Sequence, residues 1–142
     1  MADLWDLERF VKAQAGTYAE ARAELAAGRK RTHWMWFIFP QIQGLGRSGM
    51  AERYAISGRA EAEAYLGHPV LGPRLRECTG LVNAVKGRTL EEILGYPDDL
   101  KFHSSVTLFG MVAGDDAAVF EEALTKYFGG KRDKATVDRL GK

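Results

Sequence analysis

Asp98, Lys101 and Ser105 fall at i, i+3 and i+7 in a stretch, 97–113, that is apolar nearly all round. On a helix they share one face with Phe102 and Phe109. A lysine on the apolar side of a buried helix must find a partner or lose its charge, and Asp98 is the obvious partner. The pair is then either a structural ion pair or an anion-binding lysine beside its counter-ion. His103 and Thr107 fall on the opposite side.

A second group lies in Gly44-Leu45-Gly46-Arg47-Ser48-Gly49, which matches the dinucleotide fingerprint G-x-G-x-x-G letter for letter. That fingerprint works only between a strand and a helix inside a βαβ unit. Here Pro40-Gln41-Ile42-Gln43 intervenes and no second strand follows, so a dinucleotide site is not expected. What survives is a glycine loop feeding a helix start, where Arg47 and Ser48 could hold an anion or merely form a turn and cap.

The segment 29–41, Arg-Lys-Arg-Thr-His-Trp-Met-Trp-Phe-Ile-Phe-Pro-Gln, sets a basic triplet beside aromatics. Phosphate contacts plus stacking could bind single strands. Four aromatics in six residues cannot all face water, however, so most are expected in the core. His33 is either a packing histidine or a proton carrier.

The elements that must position these groups read as helices. Leu4, Leu7 and Val11 recur at helical spacing after Asp3. Thr17-Tyr18-Ala19-Glu20 and Thr89-Leu90-Glu91-Glu92 have the form of capping boxes, closed by Gly28 and Gly95. Ser48 and Ser57 are candidate caps. Leu71, Leu75, Cys78, Val82 and Val85 form one apolar stripe after Pro69, which puts Cys78 in the core. The segment 32–39 reads as a helix capped by Thr32 and ended by Pro40. Helices also follow Asp115, with Phe120, Ala123, Leu124 and Tyr127 inward, and over 135–140. The expectation is an all-α fold: residues 1–142 as a single compact domain of about seven to eight short helices.

Composition narrows the function classes. The chain has 142 residues, 46% of them apolar, with 20 Lys and Arg against 19 Asp and Glu. That balance provides no global field to steer nucleic acid or a membrane. The imbalance is local, in the triplet and in 126–142, which holds six Lys or Arg and two Asp. One cysteine forms neither an internal disulfide nor a cysteine zinc site. The longest apolar run, 34–39, is six residues, against the roughly 20 that span a bilayer. The acidic start, Met1-Ala2-Asp3-Leu4-Trp5-Asp6, is unlike a secretory signal, so a cytoplasmic location is expected.

Taken together, the run 29–41, Gly44-Leu45-Gly46 with Ser48, Tyr54-Ala55-Ile56, His68-Pro69, and Lys101-Phe102 with Ser104-Ser105 and Thr107-Leu108-Phe109 resemble the bacterial family called domain of unknown function 1810. The resemblance covers about residues 7–140 and is most specific over 33–41. It implies an all-α domain of short packed helices and no known chemistry or cofactor. Some members carry the label calpastatin, which does not fit: calpastatins are disordered, whereas this composition packs a core. The family's polar positions correspond to His33, Gln41, Ser48, Lys101, Ser104 and Ser105, set among aromatics. Such a set suits a small-ligand pocket or a buried hydrogen-bond network. The Lys101-Phe102 region also has a distant similarity to helical N-glycosidases acting on ADP-ribose derivatives.

The leading expectation is a pocket for an anionic or nucleotide-like metabolite, with hydrolysis as a reaction it could serve. Lys101, Arg47 and the Gly46-to-Gly49 helix start would hold the anion, with Ser48 inside that start. Trp36 would stack on a planar group, with Gln41, Ser104 and Ser105 hydrogen-bonding. His33 or Asp98 would move protons. There is no metal motif and no nucleophile–base pair at diagnostic spacing. Two other classes compete: a helical module that docks a partner protein, which needs a broad apolar groove, and nucleic-acid binding through the two basic segments.

Overall fold

The computed structural model describes residues 3–141. The Asp3 carboxylate accepts the amides of Leu7 and Glu8 at 2.8 and 2.9 Å and so opens α1 (Glu8–Ala15). Gly16 and Thr17 lead straight into α2 (Tyr18–Ala26). Then come α3 (Met35–Ile38), α4 (Gly49–Arg53), α5 (Arg59–Gly67), α6 (Leu71–Ala84) and α7 (Leu90–Leu94). The chain closes with α8 (Asp98–Val112), a 3-10 turn (Gly114–Asp116), α9 (Ala118–Phe128) and α10 (Lys134–Leu140). No strand forms among the described residues; one parallel bridge joins Ile42 to Ile56. Among the described residues no helix is long and apolar enough to cross a membrane.

The all-α expectation holds, with ten α-helices among the described residues where about seven to eight were expected. α8 lies at the centre and packs against α5, α7, α9 and α10, while α6 packs against α2, α5 and α9. Phe102, Val106 and Phe109 of α8 join Trp34, Phe39, Tyr65, Leu71, Leu75 and Phe120 in one core cluster. The α6 stripe is buried through Leu71, Leu75, Cys78 and Val82, with Val85 half-buried. Burial pushes the Cys78 thiol up to about 12, so it is an inert core residue.

Local signals divide. Thr89 and Glu92 form a complete capping box, and Ser48 caps α4 by accepting the Ala51 amide. Thr17 makes no side-chain cap bond, and its amide donates to the Gln14 carbonyl of the preceding helix. Thr32 does not cap a helix either: its hydroxyl donates to Glu24, and the helix shortens to α3. Gly58 takes the cap position expected for Ser57, whose hydroxyl donates to Glu61 instead. Asp115 falls in the 3-10 turn rather than at a helix start.

Candidate functional site

The site begins with how the basic triplet is folded. Glu24, on α2, accepts hydrogen bonds from the amides of Arg31 and Thr32 at 2.7 and 3.0 Å. It also accepts from the Thr32 hydroxyl at 2.6 Å and the Trp34 indole at 3.0 Å. Burial pushes its carboxyl up, but those four donors outweigh it and bring it down to about 2. The clamped loop turns Lys30 inward while Arg29 and Arg31 stay exposed. Lys30 Nζ lies 2.9 Å from Asp98 Oδ2, donates to the Thr32 carbonyl at 2.6 Å, and stands 5.0 Å from the Trp34 ring.

Asp98 therefore faces two ammoniums. Lys101 Nζ is 3.3 Å from its Oδ1, one helical turn along α8. The Lys30 side chain is 8% exposed and that of Lys101 27%, so the desolvated Lys30 holds the stronger claim on the carboxylate. Lys101 Nζ also lies 5.4 Å from the ring of half-buried Trp36, within cation–π range.

Lys101 opens on a cleft of about 310 Å³. Its walls are mainly apolar, from Leu45, Pro97, Leu100 and Ala135, with Gln41, Lys101, His103, Ser104 and Asp133 as the polar groups. Gly46 lets the 41–46 loop close down: a Cβ there would meet the Ala51 Cβ at 2.5 Å. His103 stacks on Phe128, centroids 3.8 Å apart and planes 9° apart, and its Nε2 is 2.8 Å from the Lys131 carbonyl. A carbonyl can only accept, so Nε2 carries the proton and, in the neutral ring, Nδ1 is the acceptor. Asp133 caps α10 with Oδ2, which takes Thr136 N, Thr136 Oγ1 and Ser104 Oγ at 3.2, 2.5 and 3.0 Å. Its own amide donates to Thr107 Oγ1 at 3.0 Å.

Of the residues singled out in the sequence, Gln41, Gly46, Lys101 and Ser104 line this cleft, Trp36 borders Lys101, and Asp98 stands behind it. His33, Arg47 and Ser48 are exposed and do not line it; Ser48 is the plain cap of α4. Ser105 is fully buried, and its hydroxyl has no hydrogen-bond partner among the described residues. His103, expected on the uninteresting side, lines the cleft beside Ser104, and Thr107 positions Asp133. Asp133 was missed, although Asp-x-x-Thr directly before a helix is a readable cap signal. Among the described residues no cluster of three His, Cys, Asp or Glu could hold a metal ion.

A helical domain with a cleft lined by Lys101 beside its central helix is what this geometry defines. The chain belongs to the family described as "Protein of unknown function (DUF1810)", which matches residues 4–140. Among solved structures it is similar to the crystal structure of the conserved hypothetical protein Rv1873 from Mycobacterium tuberculosis. The two are 57% identical over 99% of each chain, with a TM-score of 0.97. Comparison with curated proteins finds no match.

Proposed function

We propose that the protein binds a small anionic, nucleotide-like metabolite in the cleft rimmed by Lys101. One observation carries this reading: Asp98 is shared by two lysines, and Lys30 alone neutralises it. Beyond what Asp98 requires, Lys101 is therefore a free positive charge at the mouth of a mainly apolar cleft, beside a half-buried tryptophan face. The surroundings support ligand binding as well: apolar walls with a few convergent polar groups are the common make-up of small-molecule sites.

Mutation separates the anion-binding role from a structural one. Lys101→Met leaves Asp98 paired with Lys30, so stability should fall by no more than about 1 kcal/mol, as for a partly exposed pair. Lys30→Met strips the Thr32 carbonyl of its donor and should cost more, about 1–3 kcal/mol. A thermal-shift screen of phosphate- and carboxylate-bearing metabolites checks binding. A ligand at 100-fold over its Kd should stabilise the wild type by about 2.7 kcal/mol and lose that effect in Lys101→Met. Shifts that survive the mutation, or no shift from any compound, overturn the reading.

A further inference from the structure

We propose that the cleft selects a planar nitrogen heterocycle bearing one anionic group at one end and N–H donors at the other. This rests on the anion-binding reading above and adds the ligand's chemistry. The cleft has one ammonium, not several. Lys30 is withdrawn into its contacts with Asp98 and Thr32, and Arg47 does not line the cleft. On the same wall stands a carboxylate, Asp133, which would repel a second negative charge. A polyphosphate is thus disfavoured by the site that would attract a monoanion.

Asp133 also specifies what the far end of the ligand must offer. Its Oδ2 is engaged by Ser104 and Thr136, and its amide by Thr107, so the side chain is held fixed. Its Oδ1 accepts no hydrogen bond from the described residues. A fixed, half-exposed carboxylate oxygen with spare capacity beside apolar walls is a place where a ligand N–H or O–H can bind in exchange for water. The Gln41 side-chain amide, likewise without a hydrogen bond to the described residues, can donate and accept beside it. A plain aromatic acid would leave both groups unpaired.

The layout is a short row. Lys101 and Ser104 are three residues apart on α8, hence neighbours on one face, and Ser104 Oγ is 3.0 Å from Asp133. The anion and the donor edge therefore belong at opposite ends of something about one ring long. Leu45, Pro97 and Leu100 supply apolar surface for its faces, with Trp36 beside the ammonium.

Four probes separate the parts of this claim by titration calorimetry: orotate (ring, N–H edge and carboxylate), uracil (no anion), benzoate (no N–H) and pyrophosphate (no ring). Orotate should bind the wild type at least about tenfold more tightly than each of the others, since a site built for a hydrogen bond rejects analogues that lack it. Lys101→Met should reduce orotate to the level of uracil. Asp133→Asn keeps the helix cap but puts an amide donor where the free oxygen was, and should reduce orotate to the level of benzoate. Should that variant melt well below wild type, Asp133→Ser, also a capping residue, removes the oxygen and should show the same loss. Benzoate equal to orotate overturns the donor-edge claim. Pyrophosphate tightest, and tighter still in Asp133→Asn, overturns it in favour of a polyanion while the anion-binding reading stands. No binding by any of the four, together with no hit in the metabolite screen, removes both.

Discussion

A carboxylate that accepts four hydrogen bonds inside a protein holds its surroundings only while it stays ionised. Glu24 is such a group, and the segment it clamps carries Lys30 and Trp34, hence the charge balance at Asp98. Its carboxyl is lowered from 4.5 to about 2 in the folded state. The folded value lies below the unfolded one, so this stability is fully present above about pH 4.5 and is lost as pH falls toward 2. A lowering of that size corresponds to a few kcal/mol, on the order of 3. Urea midpoints between pH 7 and 2.5 should therefore fall more steeply for wild type than for Glu24→Gln, which has no carboxyl to protonate; parallel curves would remove Glu24 from the acid sensitivity. Little of this was legible in the sequence, where Glu24 occupies an ordinary helix position and its donors lie beyond the next turn. The Asp98–Lys101 pair was legible because i, i+3 spacing is enforced by a single helix. Lys30 as the second partner was not, because only tertiary folding brings it there. The same limit hid the place of His103 and the contact between Ser104 and Asp133, which depend on how the chain around α10 docks against α8.

Helix ends show where local chemistry decides and where packing overrides it. Thr89, Ser48 and Gly95 act as read, since a cap needs only its own first or last turn. Thr17 and Thr32 have the right residue type, but the Gln14 carbonyl claims the amide of one and Glu24 the hydroxyl of the other. The α6 stripe was legible for the same reason as the caps, because its period lies within one helix. What it did not reveal is how closely α5 crosses it. At Gly72 an added Cβ would stand 2.1 Å from the Leu66 carbonyl oxygen, a backbone atom of α5 that cannot turn aside. At Gly80, two turns along the same helix, the nearest atom would be Val119 Cγ2 at 3.9 Å, an ordinary contact. Alanine is the better helix former by about 1 kcal/mol, so Gly80→Ala should be neutral or stabilising by up to that amount. Gly72→Ala should instead lose about 1–3 kcal/mol through overpacking. Denaturant midpoints of the two variants measure the difference, and a gain at Gly72 would mean that the α5–α6 crossing is looser than described.

Across the whole molecule, core and cleft share one wall, and the aromatic run 34–39 is divided between them. Trp34 is fully buried, its ring 6.2 Å from Phe39, which meets Phe102 of the central helix edge-on at 5.0 Å. Phe102 continues to Tyr127 and Phe128, and Phe128 carries the His103 ring that lines the cleft. Trp36, two residues from Trp34, is only half-buried and meets Lys101 at the rim. The two tryptophans should therefore fail differently. Trp34→Ala empties a core site and removes the indole donor from Glu24, so it should cost at least the usual range of about 3–5 kcal/mol. Trp36→Ala removes a partly solvated face and leaves the aromatic chain from Phe39 to Phe128 intact. It should cost less than half as much while diminishing the ligand-induced thermal shift. Denaturant midpoints for both variants, with the metabolite screen repeated on Trp36→Ala, measure the two effects separately. Equal destabilisation would place Trp36 in the core. An unchanged shift in a folded Trp36→Ala would confine ligand contact to the groups on α8, α10 and the 41–46 loop.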